Sequence, residues 1–501
     1  MAIVVSGGAT ALAEAMENHR QGNIPVAEAG YRQVLMREPG NVDALHLLGL
    51  ITAQRGDAAG GAVLIEQALA RNPKMAEAHF NLGNILLRLE QLDGAESHFR
   101  DAARLQPNNV EAVANLGATL FRRENNSEAE RALRTALRLN PGHVSALANL
   151  GALLELTDRP EDTLTYYNEA LARRPDDAQL HNQKAGALLI RGQFHAGWPE
   201  YTWRFRRPQS PGFFGRFPFP HWQGEPLAGR HILIWTEQGL GDEILAASMI
   251  DGVMAQGAHV TLVCSPRLET LFRRAFPSAA LIAADGKPKD PALLSNIAFQ
   301  ASVSDLGAQL RASFEAFPQN AYLRADPALV ETLRARYRTP STPERLVGIS
   351  WRSKSPEAEA EKSIPLVHWK AVLQTPGVKF INLQYGNSAE EATQAAAAFG
   401  VQIATDPRVN SAGDLDVFAA QVAAMDLTIS VSNTTVHVAG AMGRPVWALI
   451  PSNRGRLWYW FLERRDSPWY PLARLFRKPV GGSWAEALED VATELSIWTK
   501  S

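Results

Sequence analysis

Asp426-Leu-Thr-Ile-Ser-Val-Ser-Asn-Thr-Thr-Val-His-Val-Ala-Gly-Ala-Met-Gly-Arg-Pro-Val-Trp-Ala-Leu-Ile-Pro451 is the stretch on which the reading of this chain turns. Leu427, Ile429 and Val431 form a β-rich apolar run, and Ser432-Asn-Thr-Thr435 is a cluster of helix-capping residues. Gly443-Arg-Pro445 ends the following small-residue helix before a second apolar run, Val446 to Ile450. The pattern predicts a βαβ unit whose turn aims a helix N-terminus, hydroxyls and an imidazole at the carboxyl edge of a parallel sheet. Phosphate-bearing ligands sit at such edges. From these residues alone, a capped helix in an ordinary α/β domain fits equally well.

Working outward, the 501 residues provide for several domains. A hydrophobic content of 46%, a charged content of 20% and a net charge of −2 describe a soluble globular chain, with no reason to expect nucleic acid or an anionic membrane as partner. The single cysteine, Cys264, excludes an intrachain disulfide and a thiolate cluster and fits a cytoplasmic protein. No basic n-region precedes the apolar start, so no signal peptide is expected, and no apolar run is long enough to insert in a membrane.

The N-terminal part is periodic. Pro39, Pro73, Pro107, Pro141 and Pro175 stand 34 residues apart, and the first four are each followed by a helix carrying Leu48-Gly49, Leu82-Gly83, Leu116-Gly117 or Leu150-Gly151. A second helix then carries Ala68, Ala102, Ala136 or Ala170, and small residues at Gly61, Ala95 and Ala129 allow close helix approach. This resembles the tetratricopeptide repeat. Five units start near Gly8, Val42, Ala76, Val110 and Val144, and a degenerate sixth closes a solenoid over residues 8–207. Asn81, Asn115 and Asn149 recur just before Leu-Gly. An amide both donates and accepts, so these three rungs are expected to hold an extended partner peptide on the concave face, as in the asparagine ladder of the eukaryotic O-GlcNAc transferase that they resemble.

Residues 208–229, rich in Pro, Gly and aromatics, read as a packed hinge. His231 to Trp235 is a strand, Thr236-Glu-Gln-Gly-Leu-Gly-Asp-Glu243 a glycine turn, and Ile244 to Ile250 a helix; the G-x-G-x-x-G dinucleotide fingerprint is absent. Residues 230–338 form one α/β lobe, and a Pro-rich break at 339–343 precedes a second lobe over 344–501. Two Rossmann-like lobes, each with a polar turn at a strand end, are expected to face a cleft.

The motifs Glu237-Gln-Gly-Leu-Gly-Asp242, Ser350-Trp-Arg-Ser353 with Lys362, Leu383-Gln-Tyr-Gly386, Ile429 to His437 with Ala439-Gly440, and Asp466-Ser-Pro-Trp-Tyr-Pro471 resemble those of the heptosyltransferase-like (family 9) GT-B glycosyltransferases. The whole chain is similar to bacterial proteins that fuse tetratricopeptide repeats to such a domain, some of which are flagellin glycosyltransferases. The resemblance implies an α solenoid followed by an α/β GT-B fold. It further implies transfer of a nonulosonic (sialic-acid-like) sugar from a nucleotide donor, CMP-linked by analogy, to hydroxyls of an acceptor protein, flagellin, with the nucleotide sugar as co-substrate and no bound cofactor. A non-catalytic adaptor and a lipopolysaccharide-core transferase are the alternatives.

Carried over, the family's Gly-Asp pair falls on Gly241-Asp242, with Asp242 as general base, Glu237 as its substitute and Gly239 completing the cleft loop. A helix N-terminal cap is the plain alternative for Asp242. The family's Asp-Thr-Gly-Leu-Ser-His turn falls on Ser432, Asn433, Thr434, Thr435, Val436 and His437, where Ser432 replaces the sugar-reading aspartate and Thr434 the glycine. Donor phosphate binding is expected from that turn and from Arg352, Ser353 and Lys362, with Gln384 reading a base or ribose. No His, Asp and Glu cluster shows metal-ligand spacing, Asp414-Leu-Asp416 reads as a cap, and a metal-independent mechanism is expected.

Overall fold

The structure, a computed structural model, describes residues 6–157, 159–207, 217–237, 239–283, 294–317, 319–338, 344–354, 359–411, 413–452 and 455–500. The first part of the hinge (208–216), Gln238, the Pro-rich break at 339–343 and the loop at 355–358 lie outside the described residues.

The chain divides into two compact units, residues 1–180 and 181–501. The first contains five helical hairpins: α1 (Ser6–Arg20) with α2 (Ile24–Arg37), α3 (Val42–Gln54) with α4 (Ala58–Arg71), α5 (Ala76–Arg88) with α6 (Leu92–Leu105), α7 (Val110–Arg122) with α8 (Asn126–Leu139), and α9 (Val144–Leu156) with α10 (Pro160–Arg173). Asn41, Asn109 and His143 begin α3, α7 and α9 by accepting the backbone N–H three residues on. The repeated Leu-Gly has a physical cause. A Cβ on Gly83 would stand 2.8 Å from the Phe99 ring, and one on Gly117 would stand 2.7 Å from Leu133. The missing side chain admits a large residue from the second helix of the second to fifth hairpins, and the small Ala15 stands at that position in the first. The large residues, Tyr31, Ile65, Phe99, Leu133 and Tyr167, are themselves 34 apart and fully buried. Gly117→Ala is expected to lower stability by about 1–3 kcal/mol through overpacking, read as a lower denaturant midpoint at unchanged m-value.

The sixth hairpin, α11 (Ala178–Leu189) and α12 (Phe194–Tyr201), differs from its expected role as the cap of the solenoid. The division of the units falls within α11, and Ala185, Leu189, Phe194, Trp198 and Tyr201 belong to the core of the second unit. Trp198 Nε1 donates to the carbonyl of Arg311 at 2.9 Å. Trp198, at the position of Glu96, Glu130 and Leu164 in the preceding hairpins, brings aromatic bulk that commits this segment to the α/β core.

That second unit holds two sheets. The first has the order β3-β2-β1-β4, all parallel, from β1 (His231–Trp235), β2 (His259–Cys264), β3 (Ala280–Ala283) and β4 (Phe299–Ser302). The second contains β5 (Arg345–Ser350), β6 (Val378–Asn382), β7 (Ile403–Ala404), β8 (Leu427–Val431), β9 (Val446–Ile450), β10 (Asp466–Ser467) and β11 (Tyr470–Arg477) in the order β10-β11-β9-β8-β5-β6-β7; only β10 is antiparallel to its neighbour. Counted from the first strand of each, the orders run 3-2-1-4 and 3-2-1-4-5-7-6, and both share the 3-2-1-4 core of doubly wound sheets. In both, the strand order reverses beside the first strand, which opens a crevice between β1 and β4 and another between β5 and β8.

The described end of the hinge contributes buried aromatics. Phe217 is buried against Leu233 and Trp235, and Gln300 on β4 donates its side-chain amide to the carbonyls of Phe217 and Phe219. Asp414 caps its helix by accepting from Asp416 N at 2.9 Å, and Asp416 forms a two-pronged pair with Arg274. Among the described residues no helix is long and apolar enough to cross a membrane.

Candidate functional site

Turns at the carboxyl ends of β1, β5, β6 and β8 meet in one cavity of about 650 Å³. The β1 turn supplies Gly239, Leu240, Gly241 and Asp242; the second sheet supplies Ser353, Lys354, Lys362, Tyr385, Ser432, Asn433, Thr434 and His437, and Tyr459 closes one side. Helix α13 (Leu240–Ala247) starts at Gly239, whose N–H donates to Asp242 Oδ2 at 3.2 Å. Asp242 is thus both a capping residue and a cavity residue. Burial pushes its pKa up, while the Gly239 N–H, the Lys362 ammonium and a hydrogen bond from Tyr459 draw it back.

Gly241 has a close-approach role. A Cβ there would stand 2.7 Å from His437 Cδ2, so its absence lets α13 meet the helix Thr434–Ala441. His437 is buried, with Nδ1 2.8 Å from the Tyr470 hydroxyl and Nε2 3.5 Å from that of Tyr459, and the Trp460 ring stacks on it. Burial, helped by Lys362, lowers its pKa to about 3. The imidazole is therefore neutral at physiological pH, and the positive charge around the cavity comes from Lys362, Lys354 and Arg267. A histidine with a depressed folded pKa stabilises the fold least in acid, because below its unfolded value of 6.5 only the unfolded chain takes up the proton. Acidification from pH 6.5 to about pH 5 is expected to remove about 2 kcal/mol through this group. His437→Gln should flatten that part of the stability–pH curve measured by thermal unfolding.

The Ser432–His437 turn is more committed to structure than its composition suggests. The Asn433 side chain accepts from Thr435 N and Ser430 Oγ and donates to Ser350 Oγ and the Arg352 carbonyl. Ser432 Oγ faces the cavity and accepts from Trp460 Nε1 at 2.8 Å. Thr434, the first helical residue, also faces the cavity. Thr435 does not: it is fully buried, and its hydroxyl has no hydrogen-bond partner among the described residues.

Three further expectations are corrected. Glu237 lies beneath the cavity, not in its wall: it is buried, and its carboxylate takes the Arg204 guanidinium and the Ser302 hydroxyl. The Gln384 amide is used up by backbone, with Oε1 accepting from Trp351 N and Arg352 N at 2.8 and 2.7 Å and from Ser350 Oγ, so it is a structural bracket between β5 and β6. Arg352 is turned toward Glu391 and the Asn387 carbonyl, and its side chain does not line the cavity. Lys362 and Ser353 do line it.

Tyr459 is a cavity residue that sequence reasoning missed. Within Trp458-Tyr-Trp460 it reads as packing, and only the folded chain places its hydroxyl on Asp242. Arg267 is another, donating to the Ser411 and Gly413 carbonyls and so tying the segment after β2 to the one after β7. Cys264 is buried, with its thiol pushed up to about 12, which leaves it unreactive as a thiolate.

In the N-terminal unit the three asparagines lie at one position of α5, α7 and α9, partly buried. Asn81 Nδ2 is 3.0 Å from His46 Nε2, Asn115 Nδ2 donates to Asn84 Oδ1 at 2.9 Å, and Asn149 Nδ2 donates to the Ser145 carbonyl at 2.9 Å. The first two therefore link consecutive hairpins through one amide hydrogen. The tetratricopeptide-repeat family profile matches residues 53–110 and 115–178. The chain carries tetratricopeptide repeats. It is also 36% identical over 351 residues to protein FlbA of Caulobacter vibrioides, an alignment covering 66% of this chain and 58% of FlbA. The chain thus matches just over half the length of that relative. Solved structures similar to the repeats include YrrB, described as a TPR protein with an unusual peptide-binding site (22% identity, 34% of this chain and 87% of that chain, TM-score 0.32). MamA is another (21% identity, 33% and 96%, TM-score 0.31).

Proposed function

We propose that the second unit is a GT-B glycosyltransferase that moves a sugar from a nucleotide donor to a hydroxyl of a protein held by the repeats. The observation that carries this reading is the single cavity fed by the switch-point turns of two doubly wound sheets, with a carboxylate of raised pKa on one wall and a buried lysine and a helix N-terminus on the other. In this mechanism Asp242 takes the proton from the acceptor hydroxyl as the oxygen attacks the sugar's anomeric carbon. Its raised pKa makes it a stronger base than an ordinary aspartate. The bond from that carbon to the donor phosphate breaks, and Lys362, assisted by the helix end at Thr434, neutralises the departing phosphate. No metal is required by this arrangement of charges. Flagellin as acceptor and a CMP-linked nonulosonic acid as donor follow from the sequence resemblance.

The test is intact-mass measurement of flagellin incubated with the full chain and a panel of nucleotide sugars, with and without EDTA. A mass increment equal to one sugar residue, unaffected by EDTA, is the expected result. Absence of transfer from every donor, with flagellin still bound, would establish the adaptor reading instead. EDTA-sensitive transfer restored by Mn²⁺ would overturn the metal-independent mechanism. Lys362→Met is expected to weaken donor binding and also to move the acid limb of the rate–pH profile upward. Without the ammonium, less opposes the burial that already raises the Asp242 pKa.

A further inference from the structure

Within the third hairpin of the repeat unit, one histidine of α5 and two residues of α6 converge. His98 and Asp101 are one turn apart on α6 and share a face, and His79 reaches them from α5. One ligand atom from each lies within 4.8 Å of the others. The sequence shows no metal-ligand spacing here because His79 and His98 are 19 residues apart, a separation set by the hairpin and matching no local metal motif.

The hydrogen bonds around the cluster are those that prepare ligands. His79 is buried, and its Nε2 is 3.1 Å from the Pro73 carbonyl, which can only accept. The ring proton is therefore on Nε2, and the Nδ1 lone pair points at His98 Nδ1, 2.9 Å away. A ligating imidazole is oriented in the same way, by giving its other N–H to a backbone carbonyl. Asp101 is prepared similarly: Oδ1 accepts from Arg104 at 2.8 Å, and Oδ2 faces His79 Nδ1 at 3.9 Å.

We infer that His79, His98 and Asp101 form a binding site for a divalent transition-metal ion, of which zinc is the type. Two imidazole nitrogens and a carboxylate oxygen are a zinc-type ligand set, with a fourth position left to water on the exposed side. At a Zn–N distance of about 2.0–2.1 Å the two Nδ1 atoms would stand about 3.3 Å apart, so the nitrogens part by a few tenths of an ångström, both rings tilt to turn their lone pairs from each other onto the ion, and the proton now shared between them moves to His98 Nε2. The bound ion would staple α5, the helix that carries Asn81, to α6.

The test uses the full chain without a polyhistidine tag, stripped with EDTA, desalted and titrated calorimetrically with Zn²⁺ alone. Co²⁺ serves as a visible-absorption probe of coordination. The expected result is uptake of one equivalent, lost in His98→Ala and weakened at least about tenfold in Asp101→Asn, in line with the cost of disturbing even an outer-sphere partner. Both altered side chains are partly exposed, and unchanged melting in EDTA would show that the variants fold. No stoichiometric uptake by the parent chain would mean that the two histidines form a hydrogen-bonded pair only. Equal affinity in both variants would place the ion elsewhere. Either result overturns the site.

Discussion

Asp242→Asn is expected to slow sugar transfer by about 10²–10⁴-fold, the usual contribution of a positioned general base, while leaving the chain folded. The substitution separates the two roles that this side chain holds. Asparagine keeps an oxygen to accept the Gly239 N–H, so the start of α13 survives, but it carries no charge and cannot take a proton. Time-resolved intact mass of the acceptor measures the loss, and coincident thermal melts of parent and variant would exclude unfolding as its cause. Undiminished transfer by a folded Asp242→Asn protein would remove Asp242 from the mechanism. Glu237→Gln should leave the rate within a few-fold of the parent, because that carboxylate is committed to Arg204 below the cavity.

The largest loss of stability is expected from Arg204→Leu. The guanidinium is buried, with Nε 3.1 Å from Glu237 Oε2, Nη2 2.8 Å from Asp305 Oδ1 and 3.1 Å from Ser302 Oγ, and Nη1 donating to the Tyr201 carbonyl at 2.8 Å. Burial alone would lower its pKa, but Asp305 and Glu237 hold it above the ordinary value. Burial likewise pushes Asp305 up, and Arg204 draws it back. Leucine would leave the buried Glu237 and the partly buried Asp305 without their cation, at a cost of about 3–5 kcal/mol. The loss should appear as a lower urea midpoint and should shrink when Glu237→Gln is added, since one stranded charge is then removed. A strictly additive double variant would show that the ion pair does not couple the two residues.

The Arg204 network shows where reading the chain stops. Arg204 stands in an aromatic, basic stretch that sequence alone assigns to the end of the helical array, and nothing near it signals a carboxylate. Its partners are 33 and 101 residues away. Tyr459 and Asp242 are likewise 217 residues apart and meet because the turn after β1 and the segment that follows β9 border the same cavity. Gln384 was misread for the opposite reason: its position at a strand end is compatible with a ligand contact, and the backbone of the neighbouring β5 turn claimed the amide first.

By itself, the sequence determined the features whose causes lie within a few tens of residues. The 34-residue period places the starts of α3, α5, α7 and α9 at Val42, Ala76, Val110 and Val144, because each hairpin repeats the same local packing of glycine against a large side chain. The stretch from Asp426 to Pro451 likewise folds as written, with β8, the helix Thr434–Ala441 and β9 marked by β-branched residues, a capping asparagine and Gly-Arg-Pro. Only the tertiary structure decided which polar groups line the cavity. A side chain's hydrogen-bonding capacity is finite, and buried groups satisfy it with whatever the fold brings near. Asn433 and Gln384 were taken by backbone and Glu237 by Arg204, while Asp242, Lys362, Ser432 and Thr434 were left facing the cavity.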